Sequence, residues 1–510
     1  MLAVVQSVSL LGLDGYMIDV EVDVSPGLPE FTIVGLPSTA VRESKERVRT
    51  AIKNSGLVFP IGRITVNLAP ADLRKEGPVF DLPIAIGLLV ASGQLAGSRF
   101  AEHVYMGELS LDGSLRGIAG MLPGVLVVKD KSSYNSVVVS PENADEAALV
   151  NGISIFAARN IVEIVGFLNG KVNLERHHVD LHKLYSKESA EIYEDFAEVR
   201  GQFKVKRALE IAAAGGHNLL MAGPPGSGKT MLARRLVGIM PRLSPDEALE
   251  VTKIFSISGL LKGGVPLITA RPFRAPHHSV SKSGMIGGGT IPKPGEISLS
   301  HNGILFMDEL PEFNRDSLES LRQPLEDGRL TISRAHGSVD YPAKLMLVAA
   351  MNPCPCGYFG DETRECTCTP TQIDRYRNKI SGPLLDRIDI HVEVTRVSYT
   401  DLSHNIQNES SEKMLHRVER ARRIQQRRFA GTGIYVNARM GSREIQKHCR
   451  LSTKVSELIK AAYEKLALSA RAYSRILKVA RTIADLEECQ QIKEQHAAEA
   501  IQYRIMDRNR

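Results

Sequence analysis

Eight residues constrain this chain more than any others: Gly223-Pro224-Pro225-Gly226-Ser227-Gly228-Lys229-Thr230. Their spacing is that of a phosphate-binding loop, which needs an apolar strand before it and a helix after it. Both are predicted here. His217 to Ala222 is a short apolar run suited to a buried parallel strand, and Met231 to Ile239 continues as a helix. Glycines let consecutive backbone N–H groups curl around an anion, and the helix start adds its positive end. Lys229 is expected to reach the β- and γ-phosphates of a nucleotide, and the Thr230 hydroxyl to ligate Mg²⁺.

Two further strand ends point to the same ligand. Gly303 to Met307 is an apolar strand that runs into Asp308-Glu309. Asp308 is placed to hold the magnesium shell and Glu309 to polarise an attacking water. Lys344 to Met351 ends in Asn352, a polar group at the carboxyl edge of an open sheet, suited to sensing the γ-phosphate or orienting water.

Around this site the 510 residues are too many for one ordinary core, so two to four domains are expected. A hydrophobic content of 43% and a charged content of 24% are those of a soluble globular protein. No apolar run reaches the roughly 18 residues of a membrane span, and the opening residues lack a signal peptide's basic start, which points to the cytoplasm. The net charge of +6 is compatible with nucleic acid without identifying it. Residues 1–169 mix strands (64–68, 136–139) with helices (38–54, 82–92), and the polar stretch 170–200 reads as a linker. Residues 201–395 form the nucleotide-binding α/β core with an insert, and 396–510 are helical.

The order of these motifs, with Phe306-Met-Asp-Glu-Leu310, Ala350-Met-Asn352 and Gly382-Pro-Leu-Leu-Asp-Arg387-Ile-Asp389, resembles the AAA+ superfamily. Arg274-Ala-Pro-His-His278, Pro294-Gly-Glu-Ile-Ser298 and Leu321-Arg-Gln-Pro-Leu-Glu326 resemble its magnesium-chelatase-like group, in the branch of the competence proteins. The resemblance implies a central AAA+ core, a C-terminal helical lid, and a homohexameric ring with ATP and Mg²⁺ between neighbours. Arg387 matches the arginine that completes the next subunit's site, unless it pairs with Asp386 or Asp389 instead. Arg471 matches the second sensor arginine, with Arg475 one turn on as the alternative. The implied activity is that of an ATP-dependent DNA motor, a helicase or branch-migration enzyme. It would act on single-stranded, duplex or branched DNA and promote recombination of imported DNA in natural transformation. The alternative is the motor subunit of a metal-chelatase-like complex acting on a protein; such complexes also need an Asp-x-Ser-x-Ser metal motif, which this chain lacks.

Other features bear on substrate. The insert at 252–301 carries Arg271, Arg274, His277, His278, Lys282 and Lys293 among glycines, suited to phosphate contacts, although the histidines are equally suited to loop packing. A hairpin is expected from Leu330–Arg334 back through Ser338–Pro342, turning at Ala335-His336-Gly337. Residues 417–428 hold six arginines against one glutamate, either a solvated helix face or a DNA-backbone contact. Cys354, Cys356, Cys366 and Cys368 form two close pairs nine residues apart, matching a structural zinc site, with redox pairing or free thiols as the other readings.

The N-terminal segments 64–78 and 107–113 resemble the proteolytic domain of Lon-type proteases. Where those enzymes need a serine this chain has Val79, and the later segment Ala119 to Pro123 has no lysine. An alkyl group is neither nucleophile nor base, so no protease is expected.

Overall fold

The computed structural model describes residues 1–186, 194–261, 265–289, 292–334, 337–361, 364–396, 408–466 and 468–504. The alternating apolar residues of Leu2–Leu11 and Asp14–Ser25 pair antiparallel as a long hairpin, the centre of an eight-stranded mixed sheet. Its order is Arg176–His177, Ser154–Ala157, Ser136–Val139, Val104–Tyr105, Leu2–Leu11, Asp14–Ser25, Arg63–Ala69 and Glu30–Val34. The edge pair Arg176–His177 thus comes from the stretch expected as a linker. Helix Thr39–Asn54 starts where the Ser38 hydroxyl accepts the N–H of Val41. Asp81–Ala91 follows as a fully buried helix whose one charge, Asp81, is paired with Arg47 at 2.7 Å.

The second sheet has five strands, all parallel, in the order Phe273–Arg274, Ile304–Met307, Met346–Met351, Leu219–Ala222 and Ile390–Glu393. Continuous apolar strands are what a sheet covered on both faces requires. Register places the functional ends side by side: Ala222 lies opposite Met351, and Met307 opposite Ala349. Gly223, Asp308 and Asn352 therefore leave the sheet at one edge, where open α/β sheets bind ligands. The chain is a mixed α/β protein with one all-parallel sheet and packed helices.

From Ser411 on, the regular elements among the described residues are helices: Ser411–Arg428, Ser442–His448, Thr453–Lys465, Ala470–Leu486 and Glu494–Gln502, with one 3₁₀ turn at Asn437–Arg439. Their apolar faces join the parallel sheet in one core, Ile476 and Ile483 lying in the same cluster as Leu219 and Val348. The expected hairpin forms from Arg329–Arg334 and Gly337–Pro342, with Ser333 opposite Ser338; Ala335 and His336 of its turn lie outside the described residues. Val339 and Tyr341 of the hairpin pack with Leu11, at the end of the first strand, and Leu13, in the turn that follows it. Among the described residues no helix is long and apolar enough to cross a membrane.

Candidate nucleotide site and its relatives

Pro225 to Met231, Asp308, Glu309, Met351 and Asn352 line one cleft of about 410 Å³. Its floor is the loop from the end of Leu219–Ala222 to helix Lys229–Arg235, which continues as a 3₁₀ turn to Ile239. Gly226 and Gly228 take φ values of 76° and 89°, a region a side chain rarely adopts. The Ser227 hydroxyl is buried with no protein partner among the described residues, so the loop holds a polar atom in need of a ligand's oxygen.

The Lys229 amine donates to the carbonyls of Gly223 at 2.8 Å and Pro224 at 2.9 Å, and to Asn352 Oδ1 at 3.2 Å. Burial pulls its pKa below the ordinary lysine value, and Asp308 and Glu309 partly offset that. Thr230 Oγ1 donates to Asp308 Oδ2 at 2.6 Å. The hydroxyl and carboxylate expected to share one Mg²⁺ thus converge from sequence positions 78 residues apart. The donor set, an oxygen pair beside an amine and a ring of backbone N–H groups, fits a magnesium triphosphate.

Glu309 follows with φ of 53°, a left-handed backbone for a residue with a side chain, which strain at functional positions commonly produces. Its carboxylate lies 3.5 Å from His278 Nδ1, and the His278 ring lies 4.0 Å from that of His277. The two histidines have different neighbours within the chain. His278 faces the candidate catalytic carboxylate, whereas His277 accepts or donates within its own loop, at Ser279 Oγ 2.8 Å away.

Arg387 and Arg471 are not among the residues lining the cleft of their own chain. Arg387 pairs with Glu326 rather than Asp389, and also donates to the Pro383 carbonyl at 2.8 Å. Arg475 takes Asp389 at 2.6 Å, while Arg471, one turn earlier, is exposed. Burial would raise the Asp389 pKa, but Arg475 and His217 more than offset it and hold the carboxylate ionised.

Several arginines read as phosphate contacts instead have partners inside the chain. Arg274 forms a two-bond pair with Glu296 at 2.7 Å, and Arg271 donates to the carbonyls of Pro241 and Asn302. Arg417 holds Glu210 and Glu409, Arg422 donates to the Ala213 carbonyl, and Arg428 holds Asp485. Within the basic helix these three act first as joints between elements. Lys282 and Lys293 of the insert and Arg427 of the helix remain exposed.

Against known proteins, the chain is 46% identical over 99% of its length to competence protein ComM of Haemophilus influenzae, covering 98% of that protein. The chain belongs to the ComM/YifB family. It is 45% identical to YifB of Escherichia coli over 99% of its length, and 41% identical to Rv2897c of Mycobacterium tuberculosis over 94%. Family models agree: magnesium chelatase, subunit ChlI, matches residues 195–402, its C-terminal part 408–504, and a further ChlI model 20–143. The magnesium-chelatase 67 kDa subunit of Chlorobaculum tepidum is more distant, 26% identical over 31% of this chain and 23% of its own.

One more cluster lies against the candidate nucleotide cleft of this ComM/YifB chain. The sulphurs of Cys354, Cys356, Cys366 and Cys368 lie within 4.8 Å of one another, an arrangement that could hold a metal ion. The backbone N–H of Tyr358 leads in holding the Cys356 thiol down at about 5. Cys366 is pushed up: the Cys368 N–H favours its thiolate, but burial and the neighbouring sulphurs outweigh that. Four such groups ionise together only when a cation compensates them.

Proposed function

We propose that this chain is an ATP-driven DNA motor that works as a homohexameric ring, a helicase or branch-migration enzyme for the recombination of imported DNA. The observation that carries the reading is the 2.6 Å contact of Thr230 with Asp308 in a cleft that Lys229, Glu309 and Asn352 also line. Thr230 and Asp308 would hold magnesium, which would supply positive charge against the phosphates of the nucleotide. The Lys229 amine, within reach of Asn352, binds phosphate oxygens. Glu309 takes a proton from the attacking water, and Asn352 orients that water. Arg387, outside its own chain's cleft, completes the neighbouring subunit's site, and Arg471 senses the nucleotide from the helical segment, which acts as a lid. The same reading gives the four cysteines a structural zinc and makes the N-terminal Lon-like domain a scaffold without protease activity.

The DNA part is supported by the relative named a competence protein, matched over nearly the whole chain. The exposed Lys282 and Lys293 supply backbone contacts. The chelatase-like alternative draws on the magnesium-chelatase family models, while the 67 kDa subunit itself aligns with 31% of this chain at 26% identity.

The test is ATP turnover with and without single-stranded, duplex and branched DNA, followed by fluorescence-detected unwinding of a branched substrate. DNA-stimulated turnover with ATP-dependent unwinding is expected. Turnover indifferent to every DNA overturns the motor reading in favour of a protein-directed one.

A further inference from the structure

The cysteine cluster and the phosphate loop touch. Asn352, at the end of strand Met346–Met351, is followed by Pro353 and then Cys354, the most buried of the four cysteines. Cys354 Sγ lies 3.3 Å from Cys356 Sγ and 3.6 Å from Cys366 Sγ, and Cys356 and Cys366 are also 3.6 Å apart. Four thiolates at about 2.3 Å from one zinc ion would sit about 3.8 Å from each other, so these separations are close to that tetrahedron. Two backbone N–H groups, of Phe359 and Cys356, donate to Cys354 Sγ and Cys368 Sγ at 3.3 and 3.4 Å, the outer shell that orients thiolates.

Between Cys356 and Tyr358 stands Gly357, with φ of 88°. A Cβ there would lie 2.5 Å from Pro225 Cδ and 2.7 Å from Pro225 Cγ. The turn in which the Gly357 N–H donates to the Cys354 carbonyl at 3.0 Å is therefore pressed on the phosphate loop itself, at a distance only glycine permits. The far side of the same loop is fixed to the sheet's neighbourhood. Arg377 donates to the Pro353 carbonyl at 3.3 Å, and its guanidinium lies 5.2 Å from the Phe359 ring centroid. The segment from Pro353 to Phe359 thus abuts Pro225 on one side of the cleft and leads directly from Asn352 on the other.

We propose that a zinc ion bound by Cys354, Cys356, Cys366 and Cys368 acts as a clamp on the phosphate loop. Through Gly357 against Pro225, and through Pro353 next to Asn352, metal occupancy sets how tightly the cleft binds nucleotide. The closed four-sulphur shell leaves no open coordination position, so the metal acts through shape and takes no part in hydrolysis. The inference rests on the reading of the cleft as a nucleotide site. Thiol oxidants that displace zinc would slacken the loop and lower ATP affinity, which would make the motor sensitive to oxidation.

The full-length chain purified without chelator is assayed for zinc content and for binding of a fluorescent ATP analogue. About one zinc per chain is expected. Zinc is then stripped from the folded protein with a thiol-reactive mercurial plus chelator, with helix content followed by circular dichroism. Nucleotide affinity should fall at least about tenfold with helix content unchanged, and recover when thiol and zinc are restored. Gly357→Ala keeps all four cysteines and should retain zinc while weakening nucleotide binding. A chain purified without zinc, or one whose stripped form binds nucleotide as before, overturns the clamp and leaves the ATP reading standing. A zinc-loaded chain that does not bind nucleotide at all removes the ATP reading, and the clamp with it.

Discussion

Lys229 Nζ stands 3.2 Å from Asn352 Oδ1, a contact between residues 123 positions apart. It exists because Leu219–Ala222 and Met346–Met351 are parallel neighbours in register, with Ala222 opposite Met351. The amine proposed to grip phosphate and the amide proposed to sense it are thus one hydrogen bond apart.

Lys229→Ala should abolish this link and remove the one amine in the cleft lining. ATP affinity is expected to fall by at least about tenfold, the worth of roughly one charge-assisted hydrogen bond. Isothermal titration measures it. Wild-type affinity in the variant would remove Lys229 from its role.

Glu309→Gln keeps the shape of the side chain but not its basicity. Nucleotide binding should persist while turnover drops by about 10² or more, the ordinary contribution of a positioned general base. Single-turnover hydrolysis separates the two effects. Normal turnover would show that another group accepts the proton.

Asp485 is buried and accepts from Arg428 at 2.7 Å, Arg481 at 3.1 Å and Asn437 at 2.8 Å. Asp485→Ala leaves two guanidiniums without their shared carboxylate, and should destabilise the chain by about 3–5 kcal/mol. Urea unfolding reads this directly. A loss below about 1 kcal/mol would mean that the arginines find other partners in the fold.

His103, buried just before strand Val104–Tyr105, has Nδ1 2.6 Å from Ser136 Oγ, and burial lowers its pKa below the ordinary 6.5. His301 is lowered for the same reason. The unfolded chain therefore takes up these protons first. The stability they contribute is full above about pH 6.5 and drains away as pH falls below it. Urea midpoints at about pH 7.5 and 5.5 should show this loss, and His103→Gln should reduce its slope. Depressed carboxylates such as Glu250, held down to about 2 first by its bond to His301, act at lower pH and stay out of this window. A midpoint unchanged across that interval contradicts the assignment.

Much of the site was legible in sequence because its signals are local. The glycines at 226 and 228 need positive φ, and Lys229 and Thr230 begin the helix that the loop enters. Asp308 and Asn352 each end a run of apolar residues long enough for a buried strand. The arginine-rich helix read less clearly. Its charges looked available for DNA, yet Glu210, Glu409 and Asp485 claim Arg417 and Arg428 from elsewhere in the chain. Likewise His278 gave no sign in sequence that its partner would be Glu309.

The sequence by itself determined the strand ends, the loop between strand and helix, and the hairpin. Each depends on residue type and on spacing over a few positions. Tertiary structure alone decided which charges meet: Arg475 rather than Arg387 on Asp389, Arg387 on Glu326, and the cysteine turn against Pro225. Such contacts depend on how helices and strands stack after long excursions of chain, and side-chain pairing across those distances leaves no periodic trace in a single sequence.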